Sequence, residues 1–338
     1  MKLLLHIGPH KTGSSTIQGS LSQRKQALAE QGVYYHTEHP MGVWSLALKF
    51  AIDTERNHPA IRRVFPTDQD ALNWSESCWR RLEHGVASSG AQLYILSSEH
   101  FASLPETGLA EMIARLKPLF SDIDVLTYVR DPASLYLSSV QQHIQGGVRL
   151  NALKTPANYR YSARKQIEKY TRHAPEAHII ARNFDRSNLV GGNVVSDFSH
   201  VLSELGIGIE LPRLSENSSL PGAVIAWLLT VNETWDRKVL SPERKRVLKR
   251  LSTSARIAEL PRLSFSTSGF AETIRFNADA DLRWLNQNYL AHQRKLALSE
   301  VPSKDQIEAF GQNQLRDWMM DYLTPGALKL IAEEALET

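Results

Sequence analysis

The chain opens with Leu3-Leu4-Leu5-His6-Ile7-Gly8-Pro9-His10-Lys11-Thr12-Gly13-Ser14-Ser15-Thr16-Ile17-Gln18, and two structural patterns meet inside these residues. The apolar run up to Ile7 is short enough for one buried strand, Gly8-Pro9 interrupts it, and a helical pattern begins at about Ser14. A strand, a glycine-containing turn and a helix start aim a row of backbone N–H groups and the positive end of a helix dipole at one point. Proteins hold phosphate in this way, so we predict a phosphate-bearing nucleotide as the ligand.

The position of the lysine indicates which nucleotide. Gly8 and Gly13 have the spacing of the Walker A loop, G-x-x-x-x-G-K-[ST], but Ser14 stands where an NTPase has its lysine. The lysine of this chain is Lys11, two residues before Gly13. The turn and the helix start also supply hydroxyl groups, from Thr12, Ser14, Ser15 and Thr16. A strand, turn and helix with a lysine on the surface is the alternative that this segment alone leaves open.

The composition is that of an ordinary globular protein. The 338 residues are enough for one large domain or two, and 42% of them are apolar. The formal charge of +3, from 39 basic and 36 acidic residues, is too small to indicate a nucleic-acid-binding protein. The single cysteine, Cys78, excludes an internal disulfide framework and favours a reducing compartment.

Export and membrane segments are not predicted. Only three leucines precede His6, whereas the apolar core of a secretory signal peptide takes roughly 7–15 residues. No window of the sequence approaches the roughly 18 consecutive apolar residues of a membrane-spanning helix. We therefore expect a cytoplasmic protein without a membrane span.

Strands and helices alternate along the first part of the chain. Strand patterns occupy residues 3–7, 33–36, 93–98, 124–129 and 178–182, and helical patterns occupy residues 14–31, 70–88, 106–117, 131–147 and 194–206. This alternation predicts an α/β fold with a P-loop-like central parallel sheet flanked by helices. Residues 213–290 are predicted to be mainly helical, with helix starts at Asn217-Ser218 and at Ser241-Pro242.

Polar side chains follow the predicted strands at their carboxyl ends. They are Lys11, Glu99, Arg130 and Asn183. In parallel sheets of this kind ligands bind at the carboxyl ends of the strands. The sequence therefore predicts that these side chains converge on one site, which is a stronger indication than any single motif.

Two of these segments resemble the cofactor signatures of the PAPS-dependent sulfotransferase superfamily, whose donor is 3′-phosphoadenosine 5′-phosphosulfate. Lys11-Thr12-Gly13-Ser14-Ser15 resembles the family's 5′-phosphosulfate loop. Arg130 ends a predicted strand and Ser138 follows it on the second turn of the next predicted helix, so that the two can converge on the 3′-phosphate. The resemblance covers about residues 1–210. The alternative for Arg130 is an ion pair with Asp131 or a contact with a helix dipole.

The resemblance implies an enzyme similar to the bacterial, carbohydrate-modifying sulfotransferases, which transfers the sulfuryl group of PAPS to a hydroxyl group, with a saccharide as the expected acceptor. The implied PAPS-binding residues are His10, Lys11, Thr12, Gly13, Ser14, Ser15, Thr16, Arg130 and Ser138. No metal is implied, and the twelve histidines show no H-E-x-x-H or similar ligand spacing.

Sulfuryl transfer requires positioning, a base for the acceptor hydroxyl and positive charge on the leaving oxygen. Lys11 is the predicted stabiliser of the leaving group. Glu99 is the predicted base and His100 the second candidate for it, and Glu99 as a structural carboxylate is the alternative. Because neighbouring strand residues point in opposite directions, we expect only one of Glu99 and His100 to face the site.

Several other polar groups are open to two interpretations. His10, His36 and His39 fit packed or solvated histidines better than site residues. The basic and aromatic stretch Val148–Arg172 could grip an acidic acceptor or form an ordinary solvated helix, and the basic run 244–250 is interpreted as solvated surface. Nucleic acid is not predicted as a partner of either.

We predict a sulfotransferase domain over residues 1–296 and a helical extension over residues 297–338. The extension would pack on the domain or on a second subunit, which leaves a homo-oligomer open. Two other functions remain as alternatives, a P-loop kinase or NTPase and a non-catalytic protein with the sulfotransferase fold. The sequence does not identify the acceptor.

Overall fold

The computed structural model describes residues 1–214, 219–234, 242–265, 269–299 and 310–336. Five parallel strands of these residues form one sheet in the order β2-β3-β1-β4-β5. The strands are β1 (Lys2–His6), β2 (Val33–Tyr35), β3 (Leu93–Ser97), β4 (Asp122–Val129) and β5 (His178–Asn183). The predicted α/β class and the parallel sheet are confirmed, and the strand that carries the phosphate-loop pattern is the central one.

Helices connect and follow these strands. In chain order they are α1 (Ser14–Gln23), α2 (Lys25–Glu30), α3 (Asp53–Arg56), α4 (Pro59–Arg62), α5 (Asp68–Ser88), α6 (His100–Ser103), α7 (Glu106–Leu116), α8 (Pro132–Gln145), α9 (Ala163–His173), α10 (Val194–Glu204), α11 (Gly222–Thr234), α12 (Pro242–Thr253), α13 (Ala255–Ala258), α14 (Phe270–Asn277), α15 (Asp279–Asn288), α16 (Gln312–Met320) and α17 (Pro325–Leu336). Short 3-10 turns lie between some of them. The predicted starts at Asn217-Ser218 and at Ser241 lie outside the described residues.

The single helix predicted over residues 14–31 is wrong, because the structure has two helices there. The N–H of Arg24 is shared between the carbonyl oxygens of Ser20 and Leu21, each at 3.2 Å. Such a tightened last turn ends a helix, so α1 stops at Gln23 and α2 starts afresh at Lys25.

The alternation of side chains along β1 builds a core on each face of the sheet. Leu3, Leu5 and Ile7 pack with Trp79 of α5 in one apolar cluster, which also includes residues of α7 and α9. Leu4 faces the other way and packs in a second cluster with residues of α1 and α10. Both faces of the central strand are therefore covered, which is typical of a parallel sheet.

The chain divides into two compact units. The sheet unit contains residues 1–130, 162–216 and 284–296, and the helical unit contains residues 131–161, 217–283 and 297–338. The predicted division at residue 296 stays a prediction.

The described part of the C-terminal tail packs inside the helical unit. Leu315 and Met319 of α16 are buried in one apolar cluster with residues of α8, α11 and α14. The hydroxyl of Tyr322 accepts a 3.0 Å hydrogen bond from the N–H of Ser264. Tail residues 300–309 and 337–338 lie outside the described part of the chain.

Candidate functional site

The loop between β1 and α1 has the backbone of an anion-binding turn. Lys11 has φ = 69° and Gly13 has φ = 81°, while Thr12 between them keeps a negative φ. Alternating backbone handedness of this kind turns successive N–H groups toward one concavity. Gly13 adopts its conformation without strain, whereas Lys11 does so at a cost of roughly 1–2 kcal/mol. Lys11 is the one non-glycine residue of the described chain with a positive φ, and such strained residues cluster at functional sites.

The N–H groups of this concavity are not used by the protein. Among the described residues none accepts a hydrogen bond from the N–H of Lys11, Thr12, Gly13, Ser14 or Ser15. The first turn of α1 carries no acidic side chain and no side-chain cap, so the positive end of its dipole is not neutralised locally. The loop therefore has the donors and the field that an anion requires.

Two of the predicted hydroxyl groups shape the loop itself. The Oγ1 of Thr12 donates to the carbonyl oxygen of Pro9 at 2.7 Å, and the Oγ of Ser14 donates to that of Gly8 at 3.3 Å. Both residues are buried. Ser15 is exposed and Thr16 is half-buried on the first turn of α1.

Lys11 and Arg130 lie side by side, as the convergence of strand ends predicts. The Nη1 of Arg130 donates a 2.8 Å hydrogen bond to the carbonyl oxygen of Lys11, and its guanidinium lies 5.5 Å from the centre of the Phe184 ring. Burial and the charge of Arg130 lower the pKa of Lys11, and Glu99 partly opposes them. Two neighbouring cations next to a row of loop N–H groups are the arrangement that a bound polyanion would require.

Glu99, which lies between β3 and α6, is near the same loop. One of its carboxylate oxygens, Oε1, is 3.9 Å from the Nδ1 of His10. The other, Oε2, is buried and has no hydrogen-bond partner among the described residues. A buried carboxylate oxygen without a donor is costly, so this oxygen is placed to accept a hydrogen bond from a bound molecule.

His100 lies next to His10 as well, and strand alternation does not decide between Glu99 and His100. The ring centres of His100 and His10 are 5.6 Å apart, and the two rings are nearly perpendicular. Strand β3 ends at Ser97 and α6 begins at His100, so that strand alternation does not apply to residues 99 and 100. Both side chains therefore reach His10.

The environment of His100 makes it a neutral group. Its ring is buried and stacks on Trp44, with ring centres 3.3 Å apart. Burial lowers its pKa to about 3, and the nearby His10 and His58 act in the same direction. Glu99, with its unpartnered oxygen, is the better candidate for the base.

A buried polar network lies beneath the loop, and the sequence does not predict it. The Nδ1 of His6 is 2.8 Å from the Oγ of Ser97, and the Nε2 of Gln18 donates to that Oγ at 3.3 Å. Burial lowers the pKa of His6 to about 3, so it is neutral at physiological pH. A Cβ at Gly8 would lie 2.7 Å from the Nε2 of His6 and would also collide with Ser14. The only signal in the sequence is that His6 interrupts the apolar positions of β1.

The remaining predicted residues have structural partners or lie elsewhere. Asn183 is buried; its Nδ2 donates to the carbonyl oxygen of Arg294 at 2.7 Å, and its Oδ1 has no hydrogen-bond partner among the described residues. Ser138 is half-buried on the second turn of α8, in the helical unit. The carboxylate of Asp131 caps α8 at Ser134 and pairs with Arg275 at 2.8 Å.

Most of the basic residues on α9 are paired within the sheet unit. The Nε of Arg164 is 2.8 Å from Glu168, and the Nη2 of Arg172 is 2.6 Å from Glu106. Lys169 is buried and donates to backbone carbonyl oxygens. These contacts disfavour the reading of α9 as a grip for an acidic acceptor.

The basic run 244–250 is predicted to be solvated surface, and this is wrong for Arg244. Arg244 is buried, and its Nη2 donates to the carbonyl oxygens of Ile144 and Gln145 at 3.2 Å each. It satisfies the end of α8, where carbonyl groups lack helical partners. Lys245, Arg246 and Lys249 are exposed.

Other predicted features can be located directly. Cys78 is buried, and burial raises the pKa of its thiol to about 11. His36 is buried and His39 is exposed. The described residues contain no group of three side chains suited to a metal ion. In the same residues, no helix combines the length and the apolar character that crossing a membrane requires.

Known proteins add no assignment to this geometry. No protein-family model matches the chain, and no curated protein matches it.

Proposed function

We propose that this chain is a sulfotransferase that moves the sulfuryl group of PAPS to a hydroxyl acceptor, a saccharide being the acceptor class that the family resemblance implies. The observation that carries the proposal is the contact between Lys11 and Arg130 at the end of the central strand, beside unused loop N–H groups. PAPS carries phosphate groups at both ends of its ribose, and this cluster offers donors to both. In this proposal the sheet is P-loop-like, with the donor bound at its carboxyl edge.

The charge distribution fits the chemistry of the transfer. PAPS supplies an activated sulfuryl group whose leaving oxygen belongs to the 5′-phosphate. The ammonium of Lys11 and the loop N–H groups lie where they would stabilise the negative charge of that phosphate. Burial and, after it, the charge of Arg130 lower the pKa of Lys11, and a bound polyanion would offset the repulsion between the two cations.

Glu99 would act on the acceptor. Its Oε2 has no donor among the described residues. An acceptor hydroxyl could donate to it and lose its proton to the carboxylate as the hydroxyl oxygen bonds to sulfur and the bond from sulfur to the 5′-phosphate oxygen breaks. His100 is neutral and stacked on Trp44, so we assign it to the wall of the site. Ser138 as a ligand of the 3′-phosphate, a cytoplasmic location and a homo-oligomer stay predictions.

Ligand-dependent unfolding tests the proposal. Adenosine 3′,5′-bisphosphate at one hundred times its Kd should stabilise the protein by about 2.7 kcal/mol and raise its Tm by a few degrees. Lys11→Met should lose this shift, and the matched variant Lys2→Met, an exposed lysine of β1, should keep it. ATP with Mg²⁺ should raise the Tm far less, and the opposite preference would support the kinase or NTPase alternative.

A transfer assay then separates the enzyme from a binding protein. Labelled PAPS is supplied with a panel of glycans, lipids and phenols, and label should move to at least one hydroxyl acceptor. Binding of the bisphosphate without transfer to any acceptor would favour the non-catalytic alternative.

A further inference from the structure

The short helix that follows Glu99 cannot hold its own position. Helix α6 has four residues, and a helix of that length is not stable by itself. Its carbonyl groups lie in the last turn, where no helical N–H is available to them. The Oγ of Ser103 donates to the carbonyl oxygen of His100 at 3.0 Å. The other carbonyl groups of this turn need donors from elsewhere.

Two side chains of α9 supply those donors. The Nζ of Lys169 donates to the carbonyl oxygen of Ala102 at 3.3 Å and also to that of Leu104. The hydroxyl of Tyr170 donates to the carbonyl oxygen of Phe101 at 3.0 Å. A cation at the C-terminal end of a helix also interacts favourably with its dipole.

Both side chains are buried at this contact. Lys169 is 7% exposed and Tyr170 is fully buried. Burial lowers the pKa of Lys169, and the nearby carboxylates of Glu106 and Glu55 act against this. A buried lysine whose ammonium donates to backbone carbonyl oxygens is unusual, because lysine is almost never fully buried unless it is paired.

The contact bears on the candidate base through helix α6. Glu99 is the N-cap of α6, with no residue between them. The N–H of His100 donates to the Oγ of Ser98 at 3.2 Å, and that hydroxyl donates to the carbonyl oxygen of Val43. The backbone of Glu99 is thus held on one side by the end of β3 and on the other by α6, whose position depends on α9.

We propose that Lys169 and Tyr170 are positioning residues for Glu99, acting through the carbonyl groups of α6. This inference rests on the proposed function for its kinetic consequence. It gives a role to part of the basic and aromatic stretch Val148–Arg172. From the sequence, that stretch is interpreted as a grip for an acidic acceptor or as a solvated helix. Neither residue touches the reacting atoms.

Lys169→Met tests the proposal by separating catalysis from donor binding. A displacement of about 1 Å at a reacting group costs up to roughly 100-fold in rate, so we expect kcat to fall about 10- to 100-fold. The Kd for adenosine 3′,5′-bisphosphate should stay within about twofold, because the loop from β1 to α1 does not contact Lys169. Lys169→Arg, which keeps a cationic donor, should restore kcat to within about fivefold of wild type.

Amide hydrogen exchange supplies a readout that does not need activity. In Lys169→Met, exchange should accelerate at residues 98–104 and stay unchanged at residues 7–18. The matched control is Lys117→Met, since Lys117 is a surface lysine of the same unit, 2.9 Å from Glu176. It should leave both kcat and the exchange of residues 98–104 at wild-type values.

The outcomes are decisive in each case. Unchanged kcat in folded Lys169→Met, or parallel loss of kcat and bisphosphate affinity, overturns the positioning role. If Lys169→Met does not fold, Tyr170→Phe decides in its place, with a kcat loss of about threefold or more at unchanged affinity supporting the role and no loss overturning it. Absence of transfer by the wild-type protein counts against the proposed function instead. Amide hydrogen exchange at residues 98–104 then tests whether Lys169 holds α6 in place.

Discussion

The Nη1 of Arg130 donates a 2.8 Å hydrogen bond to the carbonyl oxygen of Lys11. This bond joins the end of β4 to the loop after β1, although the two residues are 119 positions apart in the chain. Arg130 therefore has two functions in the proposed site, as a cation and as a support for the loop.

Replacing Arg130 by lysine should weaken binding of adenosine 3′,5′-bisphosphate. A lysine keeps the charge but has no planar fork of donors, so it cannot serve the Lys11 carbonyl and a phosphate together. A hydrogen bond to a charged group contributes about 1.5–3 kcal/mol, and we expect a loss of affinity of roughly 10- to 100-fold by calorimetry. Arg80→Lys is the control, because Arg80 is 77% exposed on α5. Equal affinity of Arg130→Lys and wild type would refute this role.

Gly8→Ala should close the loop to its ligand. The new Cβ would lie 2.7 Å from the Nε2 of His6 and would also meet Ser14. Overpacking of this kind typically costs about 1–3 kcal/mol, so the Tm should fall and the bisphosphate should no longer raise it. Gly208→Ala is the matched control, since its Cβ would meet nothing within 4 Å. A Gly8→Ala protein that binds the bisphosphate normally would show that the loop has more room than its geometry indicates.

How far the sequence predicts this site depends on how local each feature is. Most of β1, the turn and the start of α1 are encoded within the sixteen residues from Leu3 to Gln18, and Asp131 and Pro132 encode the start of α8 in the same local way. The meeting of Lys11 and Arg130 is not local, but it follows from one rule, that parallel strands end at the same edge of a sheet.

The parts that the sequence does not predict depend on register and on helix ends. His6 pairs with Ser97 in the β1–β3 register, and nothing near His6 in the chain indicates that partner. Lys169 looks like a surface cation until its carbonyl partners on α6 are known. Strand alternation does not predict which of Glu99 and His100 faces the site for a related reason, because β3 ends at Ser97, before the alternation could reach them.

The pH dependence of stability should reveal the buried histidines. Burial lowers the pKa of His36 from 6.5 to about 4, with Glu38 opposing it. Between these values the unfolded chain binds a proton that the folded one does not, so the free energy of unfolding falls as the pH falls from 6.5 to 4. Each such histidine contributes up to about 1.4 kcal/mol per pH unit.

His36→Gln should therefore flatten this dependence, measured by denaturant unfolding at pH 4.5, 5.5 and 6.5. His39→Gln, at an exposed position three residues along, should leave the slope as in the wild type. His6 and His100, whose pKa values are lowered to about 3, keep part of the slope in both variants. Identical slopes for His36→Gln and wild type would mean that His36 titrates in the folded protein as it does in the unfolded chain.

Glu99→Gln should abolish most of the transfer without affecting donor binding. The amide keeps the size of the side chain but cannot take the proton of the acceptor, and loss of a general base typically costs about 100- to 10,000-fold in kcat. The Kd for adenosine 3′,5′-bisphosphate should change little, because the donors of its site are Lys11, Arg130 and the loop N–H groups. Glu111→Gln, at an exposed position on α7, is the matched control and should transfer at the wild-type rate. A Glu99→Gln enzyme with wild-type kcat would show that Glu99 is not the base. His100→Asn would then be the next variant to measure, since the neutral ring of His100 is the proton acceptor next to Glu99 in the sequence.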